Sequence, residues 1–253
     1  MIMDSKISSL AFDDEGRFLA VGHNEGVSLV DCSADKLCLV GHKPRKGLPV
    51  CAVALDTRKN LLAWGALDGH AQCDAIEGFG RSPTIWEARC SNGVDALAFD
   101  PRSGHALIGY RRFNPPRPEQ PQPPDKMRRF LPGASEISFS QMGDELAYVD
   151  HDEGELNIVA ASGRHQKFSL LAPQYTKKRL PEFSSVAMGH TTAPHAIVAV
   201  VNGGNLGRVH VLKTSMAPFA LSDKVFTAAV GPSVLAIQLE MRREIELYTM
   251  GKA

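Results

Sequence analysis

Three groups of basic residues are the clearest candidates for binding chemistry in this sequence. They occur at three separate places along the chain: Lys43, Arg45 and Lys46; Arg111, Arg112 and Arg117; and Lys177, Lys178 and Arg179. Clustered ammonium and guanidinium groups attract acidic partners and raise the local concentration of anions. If the fold brings these groups to one side, they predict a docking surface for an acidic protein segment or for nucleic-acid phosphates. Nucleic acid is the less favoured partner, because few aromatic residues are interleaved with the basic ones.

Candidates for catalysis or metal binding are weak by comparison. His70 and Cys73 are three residues apart in a predicted strand, so they face opposite sides of the sheet and cannot share a metal ion. His190 and His195 flank a Thr-Thr-Ala-Pro turn that has no carboxylate nearby. No GxSxG, HExxH, Walker or dinucleotide-binding glycine motif is present. The sequence therefore predicts a protein that is not an enzyme and that has no cofactor or metal site.

A proline-rich segment at residues 114–126 is a second candidate interface. Proline cannot donate to a strand ladder, so the segment is expected to be an extended, polyproline-like insertion on the surface. Met127 to Leu131 are expected to return to the sheet. The spacing of Arg112, Pro115 and Pro118 matches the spacing that SH3-type grooves recognise. Such matches are common where prolines are dense, so a rigid surface spacer is the favoured interpretation.

A repeat must position these groups, and it is visible throughout the chain. The triplet Ala11-Phe12-Asp13 recurs, strictly or loosely, at intervals of 40–49 residues. Its later copies begin at Ala54, Ala98, Ser138, Ala187 and Ala229. Each copy is followed by a second apolar anchor, in the order Leu19-Ala20-Val21, Leu62-Ala63-Trp64, Leu107-Ile108-Gly109, Leu146-Ala147-Tyr148, Val198-Ala199-Val200 and Leu235-Ala236-Ile237. Alternating patterns between turns that contain Gly and Asp are typical of antiparallel strands, and this period is that of a propeller blade.

The repeat resembles that of the WD40 family of β-propellers. Gly41-His42 lies where the family has its Gly-His pair, Asp68-Gly69 lies at the hairpin turn, and Asp31 and Asp74 lie at the final acid. The Trp of the family is replaced by Val30, Cys73, Val159, Leu212 and Tyr248. The resemblance implies a β-propeller that acts as a scaffold and identifies no particular protein.

The predicted fold is all-β: one domain over residues 1–253, forming a WD40-like propeller of six blades, each a four-stranded antiparallel sheet. Closure of the ring has three alternatives. Met1 to Asp4 supply the outer strand of the last blade, or that blade has three strands, or the ring is open and a partner completes it.

The propeller topology predicts which loops share a face. Loops between blades lie with those joining second and third strands, and loops joining first and second strands lie opposite. This places the three basic groups on one face. The other face receives a set of acidic residues: Asp13, Asp14, Glu15, Asp56, Asp100, Asp144 and Glu145. The sequence therefore predicts a disc that is basic on one face and acidic on the other.

Overall composition limits the remaining possibilities. The formal net charge is zero, so an electrostatic function must depend on how the charges are distributed. Neither a secretory signal nor a membrane span is expected, and five cysteines without CxxC pairs predict reduced, buried thiols and a cytoplasmic location. The preferred function is a scaffold subunit that binds other protein subunits with acidic contact surfaces. The alternatives are a nucleic-acid-binding propeller and, less favoured, an enzyme or ligand sensor that uses the central channel.

Overall fold

A computed structural model of the chain consists almost entirely of short strands. It describes residues 6–33, 37–90, 92–110, 128–132, 134–140, 142–150, 155–168, 183–188, 197–203, 206–212, 219–220, 225–230, 234–239 and 245–249. The strands are β1 Ile7–Phe12, β2 Phe18–His23, β3 Gly26–Asp31, β4 Cys38–Pro44, β5 Val50–Asp56, β6 Leu61–Ala66, β7 His70–Ala75, β8 Thr84–Arg89, β9 Val94–Phe99, β10 Ala106–Tyr110, β11 Arg128–Pro132, β12 Ala134–Phe139, β13 Glu145–Asp150, β14 Glu155–Ala160, β15 His165–Phe168, β16 Phe183–Met188, β17 Ile197–Gly203, β18 Leu206–Leu212, β19 Phe219–Ala220, β20 Val225–Val230, β21 Val234–Leu239 and β22 Ile245–Thr249. A single 3-10 turn, Thr57–Lys59, interrupts them within this part of the chain. No helix in the described ranges is long and apolar enough to span a bilayer.

The strands form six sheets in the order of the chain. Four sheets have four strands, β1 to β4, β5 to β8, β12 to β15 and β16 to β19, and each is a simple antiparallel meander. The first strand of each sheet packs against the first strand of the next, and β20 packs against β1. The first strands therefore form a closed ring, as in a β-propeller. The all-β propeller architecture predicted from the repeat is confirmed.

The core lies between neighbouring sheets. Leu29 and Val27 of the first sheet pack with Val50, Leu62 and Trp64 of the second, and all five side chains are buried. The second strands are apolar on both sides because each sheet is covered on both faces, which is why β2 and β6 read as continuous buried runs. Burial between sheets is what a single blade cannot achieve alone.

A glycine in the second strand allows each of the first three sheets to approach the next. A Cβ atom at Gly65 would lie 2.3 Å from Val94 Cγ1, and one at Gly109 would lie 2.6 Å from the carbonyl oxygen of Ala134. Gly22 has the same relation to Val50, at 3.0 Å from its Cγ1 atom. In each pair the neighbour is in the first strand of the following sheet, so the glycine gives space for the inner strands to pack.

The third sheet departs from the predicted four antiparallel strands. In the described residues it has three strands, and β11 pairs with β10 in parallel. Parallel neighbours need a long crossover, which the insertion between Tyr110 and Arg128 supplies. The return of Met127 to Leu131 to the sheet is confirmed for residues 128–131, and β11 ends at Pro132, as an edge strand can. The proline-rich residues 114–126 lie outside the described residues.

The predicted anchors of two second strands were displaced by one residue. Strand pairing aligns Phe12 with Leu19, and the equivalent pairs are Phe99 with Ala106 and Met188 with Ile197. The anchors of the third and fifth units therefore begin at Ala106 and Ile197, not at Leu107 and Val198. Because side chains alternate along a strand, a shift of one residue moves every position of that strand to the opposite face of the sheet. The other four anchors have the predicted register.

The ring closes by direct packing of the first sheet on the last. Ile7, Leu10 and Leu19 form one buried cluster with Ala229 and Ala236. The last sheet has three strands, β20 to β22, in the described residues. The alternative of an open ring is therefore not what the inner strands show, because they form a closed ring. The alternative of a three-stranded last blade agrees with the described residues. Met1 to Asp4 lie outside the described residues.

Candidate docking face

Four connections meet at one end of the first two sheets and are called the upper face. They are residues 24–25, 45–49, 67–69, and 90 with 92–93. The Arg45 N–H donates to the Glu25 carbonyl at 2.7 Å, and the Leu67 N–H donates to the Pro49 carbonyl at 3.2 Å. The Cys90 N–H donates to the Gly69 carbonyl at 2.8 Å. Loops between sheets and loops joining second to third strands therefore share one face, as the topology predicts.

The connections between first and second strands lie at the other end and are called the lower face. They are residues 13–17, 57–60, 100–105, and 140 with 142–144. Neighbouring connections are bonded to each other: Asp14 pairs with Arg58, and the Lys59 Nζ donates to the Arg102 carbonyl at 3.0 Å. The Arg102 Nε in turn donates to the Met142 carbonyl at 2.7 Å. A chain of contacts thus runs along the lower face from the first sheet to the fourth.

Lys43 points into the seam between the first two sheets. Its Nζ lies 2.5 Å from Oδ1 of Asp74, whose side chain is fully buried. The same carboxylate accepts from Trp64 Nε1 at 3.0 Å and from Gln72 Nε2 at 2.8 Å. A buried carboxylate needs such partners, because desolvation of an unpaired charge is costly. Lys43 therefore balances an interior charge, and its predicted role in docking stays a prediction.

Arg45 is also engaged within the molecule. Its Nη2 lies 2.7 Å from Asp68 Oδ2, and its guanidinium carbon lies 5.4 Å from the centre of the Trp64 ring. Burial acts to raise the pKa of Asp68, but hydrogen bonds from Arg45 and from the His70 N–H lower it overall. The Arg45 side chain is only 15% exposed. Arg45 thus fixes the 45–49 connection onto the 67–69 turn and contributes little free charge to the surface.

Lys46 remains exposed beside two leucines that the sequence interpretation did not single out. Leu48 is 47% exposed and Leu67 is 48% exposed, and the Leu67 N–H bonds to Pro49, the residue after Leu48. The upper face therefore offers apolar surface next to a cation. A signal was available: Leu67 occupies the Ala-Leu-Asp-Gly hairpin turn, a position that polar residues usually fill.

The acidic residues predicted for the lower face are mostly not surface charges. Asp13 accepts the Phe18 N–H at 2.8 Å, and Asp56 accepts the Lys59 N–H at 3.2 Å. Both are buried, and burial raises the pKa of each carboxyl group. Asp100 accepts the Arg102 N–H at 3.0 Å in the same way. With Arg58, Lys59 and Arg102 on the same face, the predicted acidic surface is wrong.

Some of the remaining sequence candidates lie within the described residues and others lie outside them. Arg111, Arg112, Arg117, Lys177, Lys178 and Arg179 lie outside the described residues. Cys73 is fully buried, and burial raises the pKa of its thiol to about 12. None of the five cysteines, all of which the structure describes, forms a disulfide bond, but Cys38 is exposed on β4, which corrects the expectation that all of them are buried. In the parts of the chain that are described, no three His, Cys, Asp or Glu side chains converge as metal ligands would.

Comparison with known proteins identifies the fold and no family. No family model and no curated protein matches the sequence. A chain of the crystal structure of a mitotic checkpoint complex superposes with a TM-score of 0.60 at 13% identity, covering 99% of this chain and 79% of that one. The β-propeller domain of Myceliophteria thermophila Cps50 (Swd1) superposes with a TM-score of 0.66 at 14% identity, covering 99% and 98%. At these identities the likeness shows the fold alone, and the predicted WD40-like propeller fold is confirmed.

Proposed function

We propose that this protein is a non-enzymatic scaffold subunit that binds a protein partner on its upper face. The observation that carries the proposal is the exposed pair Leu48 and Leu67 beside Lys46 on a face fixed by internal hydrogen bonds. Exposed apolar residues with a polar surround are typical of protein interaction sites. The partner surface complementary to them is apolar with flanking acidic groups.

Two further considerations support a protein partner. A chain with the same fold is found in a mitotic checkpoint complex, so the fold is suited to multi-protein assemblies. Lys43 and Arg45 are committed to Asp74 and Asp68, so they do not offer the free row of cations that phosphate binding needs. The nucleic-acid alternative is therefore the weaker one. Arg111, Arg112, Arg117, Lys177, Lys178 and Arg179 are proposed as further partner-binding residues on the same face.

Affinity purification of the tagged protein from its native cells tests this proposal. The variant Leu48→Asp with Leu67→Asp should recover the partner at least about tenfold less than the wild type, because each change places a carboxylate in an apolar contact. Met142→Asp is the matched control, because Met142 is 72% exposed on the lower face. It should recover the partner at the wild-type level. Equal recovery by the two variants would contradict the proposal.

A second variant separates the basic groups from the leucines. Reversing Lys177, Lys178 and Arg179 to Glu should weaken capture of an acidic partner, and more strongly at low ionic strength, because screening reduces the contribution of surface charges. Unchanged capture would remove these three residues from the proposed surface while leaving the leucines to be tested separately.

A further inference from the structure

Two histidines are stacked inside the first sheet. His23, at the end of β2, is 2% exposed, and its ring centre lies 5.4 Å from that of His42 on β4, with 17° between the planes. Ser28 on β3 lies between them, with its Oγ 3.1 Å from His23 Nε2 and 3.2 Å from His42 Nδ1. One chain of side chains therefore links three neighbouring strands.

The hydrogen bonds define where the protons are. The Glu25 N–H donates to His23 Nδ1 at 3.3 Å, so this nitrogen is unprotonated and the neutral ring carries its proton on Nε2. In that tautomer His23 Nε2–H donates to Ser28 Oγ, and we assign the serine hydroxyl as the donor to His42 Nδ1. His42 therefore also carries its proton on Nε2. An added proton on His23 Nδ1 would face the Glu25 N–H, which is a donor, and would place a cation 5.4 Å from the centre of the His42 ring.

The surrounding charges do not favour a cation at His23. Burial, and then the neighbouring His42, lower the pKa of His23, while Glu25 in the adjacent turn acts to raise it. On β4, Lys43 follows His42 and is paired with Asp74 of β7. From the second sheet, Arg81 lines a groove of about 530 Å³ together with His42. Glu25 is thus the carboxylate that acts on His23, while Lys43 and Arg81 add positive charge near His42.

The position of β4 affects the seam between the first two sheets. A Cβ atom at Gly41 would lie 2.4 Å from the Phe79 carbonyl oxygen, and one at Gly80 would lie 2.6 Å from the His42 carbonyl oxygen. The strand is thus in close contact with residues 79–80 of the second sheet. It leads directly into Arg45, which bonds Glu25 on the upper face. A displacement of β4 would alter both the seam and the upper face.

We propose that the His23–Ser28–His42 chain is a pH-sensitive contact that holds β4 in the first sheet at neutral pH and releases it when His23 is protonated. In the folded state the pKa of His23 is lowered by burial and by His42 below 6.5, which is the value for histidine in the unfolded chain. The contact is therefore complete above that value and is lost progressively as pH falls below it. This proposal does not depend on the proposed docking function.

Two measurements on the unmodified protein test the proposal. Long-range ¹H–¹⁵N spectra of ring-labelled histidines near neutral pH should show His23 and His42 as Nε2–H tautomers. Amide exchange of residues 38–44, corrected for intrinsic rates, should rise about tenfold or more between about pH 7.5 and about pH 5.5, while residues 61–66 of β6 change little. An Nδ1–H tautomer at His23, or equal change in both segments, would overturn it.

A variant removes the ring that is stacked on His23 without removing the hydrogen-bond acceptor for Ser28. In His42→Gln the amide oxygen can accept from Ser28, so the extra exchange of residues 38–44 in acid should be reduced severalfold. His70→Gln is the matched control, because His70 is a half-buried strand histidine that contacts Trp64 instead. It should keep the wild-type response to acid. If the two variants respond alike, the effect does not come from the stacked pair.

Discussion

The upper and lower faces of the propeller both contain acidic and basic residues, but they use them differently. On the lower face, Asp13 and Asp56 accept backbone N–H groups, and Asp14 pairs with Arg58 across two sheets. On the upper face, Lys46 is exposed beside Leu48 and Leu67. The difference shows that a charge at a strand end is often a turn cap, whereas the exposed apolar residues in the turns are the observation on which the proposed docking surface rests.

The largest expected effect concerns the buried carboxylate of Asp74, which pairs with the partly exposed ammonium of Lys43. Asp74→Ala should lower the free energy of unfolding by about 3 kcal/mol, because it leaves the Lys43 ammonium, the Trp64 N–H and the Gln72 amide without their common acceptor. Urea unfolding followed by tryptophan fluorescence measures the change.

Lys46→Met is the matched control for this experiment, because Lys46 lies three residues from Lys43 and is exposed. It should change the free energy of unfolding by no more than about 0.5 kcal/mol. A loss of less than about 1 kcal/mol in Asp74→Ala would mean that the Lys43 ammonium is satisfied by solvent. The division between a structural and a surface lysine on the upper face would then fail.

A smaller effect distinguishes caps from surface charges on the lower face. Asp13→Ala should cost about 1–2 kcal/mol of unfolding free energy, because the half-buried Phe18 N–H loses its acceptor. Asp14→Ala, one residue away, removes a partly exposed ion pair and should cost about 0.5 kcal/mol or less. Thermal or urea unfolding of the two variants compares them directly. Similar losses would contradict the assignment of Asp13 as a cap.

Much of the fold could be predicted because each recurring residue of the repeat has a physical role in the sheet. Apolar anchors recur because every sheet is covered on both sides, and the Asp of Ala11-Phe12-Asp13 recurs because a turn N–H needs an acceptor. The register failed in the third and fifth units, where the predicted anchors Leu107 and Val198 are preceded by Ala106 and Ile197, which are themselves small or apolar. Alternation alone cannot distinguish neighbouring registers there.

The roles of the site residues were harder to predict, because they depend on contacts between sheets. Lys43 and Asp74 are 31 positions apart, and nothing in either segment indicates that they meet. The parallel pairing of β10 and β11 is hidden for the same reason, since local patterns do not encode strand direction. Charges could be sorted by face from topology, but whether a charge is paired required the three-dimensional structure.

The smallest expected effect measures how strongly the lower face is bonded between sheets. In a double-mutant cycle of Asp14→Ala and Arg58→Ala, the coupling energy should be about 0.5 kcal/mol and should fall at about 1 M salt, because both side chains are partly exposed. The free energies come from urea unfolding of the four proteins. A coupling of about 2 kcal/mol that resists salt would place this pair with Lys43 and Asp74 as a structural contact. Both faces would then use paired charges as structural contacts, and only the exposed leucines of the upper face would distinguish them. The exposed charge of Lys46 would no longer support the proposed docking surface.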